Sequence, residues 1–172
     1  IRGQTSNAPV NPSDDSHTVL QKSHDWDKFL GPNAATCKYV KKKNIGKGAF
    51  GEAYIVERSS DGRTFVAKVM DLQSMSQKDK KYTQTEVMCL AEAEHFAIIR
   101  YVEHTVIDED SMIIVMEYAD EGDLYNNIRK HQFSCSERDA GLYFVQLLLA
   151  LDHIHRHRMI HRDIKSANVF MT

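Results

Sequence analysis

The stretch from His161 to Asn168 places a carboxylate (Asp163), an ammonium (Lys165) and a carboxamide (Asn168) close together in the chain. A tight loop made of these residues can point all three groups at one phosphoryl group from three sides. A charged surface loop could spell the same string by chance, so the rest of the chain has to discriminate between the two readings.

A second stretch bears on the same chemistry. Gly46, Lys47, Gly48, Ala49, Phe50 and Gly51 form a Gly-x-Gly-x-x-Gly string. Glycines let the backbone come close to phosphate oxygens with no Cβ in the way, and the free N–H groups bind them. Dinucleotide-binding folds use the same string between a strand and a helix. Here it is expected to join two strands of a hairpin.

The elements that must carry these residues follow from periodicity and punctuation. Residues 39–46 and 50–58 read as strands, with Ala53, Ile55 and Glu57 alternating with Tyr54, Val56 and Arg58. Ser60, Asp61 and Gly62 make a hairpin turn, and 64–70 is the third strand of the meander. The run Lys41, Lys42 and Lys43 is most simply a solvated strand face. Residues 79–94 read as a helix with Ser76 as its N-cap. Strands at 98–107 and 111–118 flank the acidic turn Asp108, Glu109 and Asp110. A short helix at 124–130 and a long one at 136–155 follow. Ser136 and Asp139 can form a capping box for the long helix. Leu142, Val145, Leu149, Leu151 and Ile154 give it a wide apolar face, as expected of a helix buried on several sides.

Strands early and helices late imply an α+β fold: a five-stranded antiparallel sheet with one helix, then the start of a helical region. The expected division is a disordered or loosely docked leader at 1–36, a sheet lobe at 37–118 and a helical lobe from 119 to 172. Trp26, Phe29 and Leu30 could dock the leader.

The 172 residues are 42% hydrophobic and 27% charged, with a formal net charge of −2. That balance gives no reason to expect a nucleic-acid or membrane partner. Cys37, Cys89 and Cys135 are scattered and odd in number, which suits reduced thiols and a cytoplasmic setting. His153, His155, His157 and His161 invite a metal reading, but positions two apart on a helix point to different sides.

Taken together, these motifs resemble those of protein kinases from about residue 39 to 172. Lys165 after Asp163 is similar to serine/threonine kinases. The run from His161 through Asn168 to Phe170 and Met171 resembles the never-in-mitosis-related (NIMA-related) kinases. Small-molecule phosphotransferases share a His-x-Asp loop, but the Gly-rich hairpin and Arg162 argue against them.

The resemblance implies a role for each matching residue. Asp163 would be the catalytic base, Lys165 would neutralise charge on the transferring phosphate, and Asn168 would hold Mg²⁺. Gly46, Lys47, Gly48 and Gly51 would cover the phosphates of ATP. Lys68, on the third strand with Ala67, would pair with the α and β phosphates and be held by Glu86. Ala53 would lie over adenine, where kinases often have Val. Glu117 and Ala119 would bond the adenine edge through their backbone, with Met116 guarding the deeper pocket. Asp123 would reach the ribose, and Phe170 would form the floor under adenine.

The implied activity is transfer of the γ-phosphoryl group of Mg-ATP to a Ser or Thr hydroxyl of a protein. An inactive nucleotide- or partner-binding module is the alternative, against which Lys68, Glu86, Asp163 and Asn168 count. The family's cytoplasmic and cytoskeletal address is a further expectation. His95, Phe96, Ala97 and Ile98 replace the frequent His-Pro-Asn-Ile. The Asp-Phe-Gly segment, with the family's other metal ligand, is not among the 172 residues. The chain is therefore expected to be part of a longer domain and inactive by itself.

Overall fold

Alternation along the strands decides which side chains meet on each face of the sheet. The structure is a computed structural model. It describes residues 27–48, 51–73, 75–107, 111–130 and 135–172. Trp26, Phe50 and the acidic turn at 108–110 lie outside the described residues.

One sheet contains β1 (Leu30–Gly31), β2 (Tyr39–Gly48), β3 (Gly51–Arg58), β4 (Thr64–Asp71), β5 (Tyr101–Ile107) and β6 (Ser111–Glu117). Its order is β1-β2-β3-β4-β6-β5. All neighbours are antiparallel except β1 and β2. The five expected strands are thus joined by a sixth.

The sixth strand docks the end of the leader through Leu30 and Phe29, two of the residues expected to do so. Leu30 pairs with Tyr39 and is only 2% exposed, and Phe29 packs on the same cluster. The Lys38 amide donates to the Lys28 carbonyl at 2.7 Å. Between them the chain reverses at Asn33, whose side chain accepts from the Ala35 amide and whose carbonyl accepts from the Cys37 amide. Residues 27–36 therefore belong to the sheet layer, because burying Leu30 and Phe29 offsets the entropy of ordering them.

The two faces of the sheet carry separate cores. One buries Leu30, Tyr39, Val56, Phe65, Ala67, Ile113 and Val115. Tyr39 lies fully inside, and its hydroxyl donates to Glu103 at 2.5 Å. Burial, then that carboxylate, raises its pKa well above the usual phenol value. The other face buries Met70, Met112 and Ile114 under α1 (Gln77–Glu92), which contributes Val87. The Ser76 hydroxyl accepts from the Asp79 amide at 3.2 Å and caps this helix as expected.

Beyond the sheet lie β7 (Gly122–Asp123), α2 (Leu124–Lys130), α3 (Glu137–Arg156) and β8 (Phe170–Met171). A short 3₁₀ turn, Ser166–Asn168, precedes β8. Ser136 caps α3 through the Asp139 amide at 3.0 Å. The apolar face of α3 is not covered by the described residues: Leu142, Phe144, Val145 and Leu149 stay exposed, and only Ala150 is buried. No helix among the described residues is long and apolar enough to cross a membrane.

Candidate phosphoryl-transfer site

The Gly-rich string joins β2 to β3, the hairpin arrangement expected from the sequence. Gly48 pairs with Gly51, and Ala49 and Phe50 lie outside the described residues. Gly51 has φ 154° and turns its missing side chain toward β4, where a Cβ would stand 1.8 Å from the Val69 carbonyl oxygen. Only glycine fits there. Gly46 differs, since a Cβ would meet nothing within 4 Å. Its amide donates to the Asn44 side chain at 3.1 Å, next to a bulge in β2.

A cavity of about 560 Å³ opens between this hairpin, β4 and α1. Gly46, Lys47, Gly51, Ala53, Lys68 and Glu86 all line it. Ala53 pairs directly with Lys68 across β3 and β4, so the two share a face.

Three features of this half bear on the expected site. First, Lys68 and Glu86 face one cavity, but neither forms an ion pair among the described residues. The helix α1 packs through Val87 on the cluster of Met70, Met112 and Ile114. Second, Ala67 is fully buried in the opposite core with Phe65 and Val115. It cannot face a nucleotide beside Lys68, because adjacent strand residues point to opposite faces. Val66, two residues before Lys68 and paired with Met116, is the neighbour on the Lys68 face. The two-residue strand period contained that signal. Third, Lys47 is paired with Glu52 at 3.4 Å, and Glu52 also accepts from Tyr54 and Asn44. The Tyr54 hydroxyl, then Lys47, lowers the pKa of Glu52.

The strand β6 leads from Met116 and Glu117 into a turn. The Glu117 amide donates to the Arg100 carbonyl at 2.9 Å, and its carboxylate accepts from the Arg100 amide at 3.1 Å. Ala119 is buried, and its carbonyl accepts from Gly122. The β7–β8 ladder then sets Asp123 opposite Phe170. Asp123 also caps α2, accepting from the amide and side chain of Asn126 at 2.8 and 2.7 Å. These bonds, the backbone one foremost, lower its pKa, so it is an anion at neutral pH.

The catalytic-loop candidates do converge. Lys165 Nζ lies 2.9 Å from Asp163 Oδ2. Asn168 Nδ2 donates to both the carbonyl and Oδ2 of Asp163, each at 2.9 Å. The Asp163 amide donates to His161 Nδ1 at 3.3 Å. Between them Arg162 takes φ 66°, a left-handed backbone that turns the loop sharply. Lys165 first, then Asn168, holds the Asp163 carboxyl below its ordinary pKa. The group is therefore an anion at neutral pH, suited to orienting a hydroxyl more than to strong proton abstraction.

Asn168 also fits a metal ligand. Its amide nitrogen is spent on Asp163, and among the described residues nothing donates to its Oδ1, a hard oxygen suited to Mg²⁺.

Comparison with known proteins agrees with this geometry. The chain is 50% identical over 140 residues to serine/threonine-protein kinase A of Trypanosoma brucei brucei, covering 79% of this chain and 32% of that protein. It is 47% identical over 156 residues to serine/threonine-protein kinase B of the same organism, covering 87% and 36%. Serine/threonine-protein kinase Nek1 of Mus musculus is 40% identical over 136 residues, 78% of this chain and 11% of that protein. The chain thus spans about a third or less of the length of these relatives. Residues 39–172 match the protein kinase domain, and the chain belongs to the protein kinase family.

Proposed function

We propose that the protein carrying this chain is a serine/threonine kinase of the NIMA-related type, transferring the γ-phosphoryl group of ATP to a Ser or Thr hydroxyl of a protein. The observation that supports it most is the bonding of Asp163, Lys165 and Asn168 into one loop. Asp163 would orient the attacking hydroxyl and accept its proton. Lys165, now on Asp163, would share its charge with the phosphoryl group as negative charge builds on the oxygens. Mg²⁺, when bound, neutralises charge on the phosphates, and Asn168 Oδ1 is the side-chain oxygen that would hold it. Val66, Ala53 and Phe170 would sandwich the adenine, with Asp123 at the ribose.

On this reading the described arrangement, in which Lys68 and Glu86 form no ion pair, would be an inactive one. Competence would require α1 to move toward β4 until the two charges meet. The test is titration of the full-length protein with Mg-ATP. Wild type should bind in a Mg²⁺-dependent manner, and Lys68→Met and Asn168→Ala should each weaken binding. Equal affinity in all three proteins, or no binding by wild type, would refute the assignment of these residues to a nucleotide site.

A further inference from the structure

Three histidines outside the chemistry above touch one another. His153 lies on α3, with its ring 4.5 Å from that of His157 one turn on. Its other neighbour is His95, 5.1 Å away, in the loop between α1 and β5. The rings are tilted by 32° and 41° from parallel. The sequence points to part of this, since His153 and His157 are four apart on one helix face. His95 joins them only through the fold. Among the described residues no group of His, Cys, Asp or Glu could hold a metal ion, so a metal does not explain the stack.

Hydrogen bonding shows which protonation states the stack accepts. The Ala97 amide donates to His95 Nδ1 at 3.2 Å, so that nitrogen must be unprotonated. His157 Nδ1 lies 2.8 Å from the His153 carbonyl, which can only accept, so this nitrogen carries the proton. His153 Nε2 is buried and has no partner among the described residues. The His153 side chain is otherwise only half-buried, but a proton on that nitrogen would find no acceptor among the described residues, which disfavours it.

We propose that His95, His153 and His157 form a proton-sensitive fastener between the α1–β5 loop and α3, closed when the rings are neutral and loosened when they are protonated. The charges around His153 favour this sign. His157 and Arg156 on its own helix, and His95 from the loop, disfavour its protonation, and only Asp152 favours it. Asp152 is itself engaged by Arg156 at 2.9 Å. Desolvation first, then these charges, lowers the pKa of His153. The unfolded chain therefore binds more protons than the folded one between that lowered value and the ordinary histidine value of about 6.5. The stabilisation is full above that pH and is lost as pH falls through the lowered value. The loop continues from α1, which carries Glu86, so its release changes how α1 is held.

The experiment is a pH titration of the histidine ring protons by NMR, with amide hydrogen exchange at Ala97, on the full chain. His153 should titrate below the ordinary histidine value of about 6.5. Ala97 should keep its protection above about pH 6.5 and lose it as pH falls below that, beyond the intrinsic change in exchange rate. His153→Phe keeps an aromatic ring but removes one titrating group, and should move the loss of protection to lower pH, since His95 no longer faces a second charge. His157→Gln, a change at an exposed position, should raise the His153 midpoint and serves if the first variant does not fold. A His153 midpoint at or above about 6.5 would overturn the proposal. So would loss of Ala97 protection at the same pH in His153→Phe as in wild type, or an unchanged midpoint in His157→Gln.

Discussion

Asn168 donates one side-chain nitrogen to two oxygens of Asp163, the backbone carbonyl and Oδ2, both at 2.9 Å. The carboxamide therefore fixes the carboxylate and leaves its own oxygen outward. Removing it should change both the shape and the acidity of the site. Asn168→Ala in the full-length protein should lower kcat, and the acid limb of its pH–rate profile should move to higher pH. The sign follows from the lowered pKa of Asp163, to which Asn168 contributes. Lys165→Ala should move the limb the same way and further, because Lys165 is the larger cause. Unmoved limbs would show that Asp163 is not the group being read.

Lys68 and Glu86 face one cavity without pairing. Glu86→Gln should therefore leave the melting temperature of the nucleotide-free protein unchanged within error, and yet suppress transfer. A crystal structure with a Mg-ATP analogue should bring Lys68 Nζ and the Glu86 carboxylate within 4 Å, the reach of a salt bridge. Full activity in Glu86→Gln would contradict the expected movement of α1.

Ala67 and Val66 should separate fold from binding. Ala67 is fully buried, so Ala67→Leu should overpack the core and cost about 1–3 kcal/mol, read by denaturant unfolding. Val66→Ala, on the Lys68 face, should raise KM for ATP more than it lowers the unfolding midpoint. The reverse pattern would restore Ala67 as the nucleotide-facing residue.

Gly51→Ala would force a Cβ to within 1.8 Å of the Val69 carbonyl oxygen at a φ that side chains avoid. It should lower the melting temperature, since strained backbone of this kind costs on the order of 1–3 kcal/mol before the clash is relieved. Gly46→Ala, with open space around it, should melt close to wild type. Equal effects would mean that the hairpin is not held as described.

Much of this was legible in the residues, and for physical reasons. The short helix Leu124–Lys130 and the caps Ser76 and Ser136 depend on local rules, and they stand where those rules put them. The turn at Gly62, with φ 70°, is equally local. The loop triad was legible because Asp163, Lys165 and Asn168 are close in sequence. What was not legible depended on tertiary packing. A two-residue parallel strand at Leu30 has no periodicity to read. The approach of Lys68 to Glu86 depends on how α1 settles on the sheet. Ala67 is a different case, since counting by two from Lys68 selects Val66.

The most direct measurement is transfer of labelled γ-phosphate from Mg-ATP to a protein substrate by the full-length protein, wild type against Asp163→Asn. The expected result is phosphoserine or phosphothreonine from wild type and turnover lower by about 10²–10⁴-fold in the variant, the usual weight of a positioned base. Mg-ATP affinity should be retained in both. Equal turnover in the two proteins, or label on a small molecule and none on protein, would contradict the account.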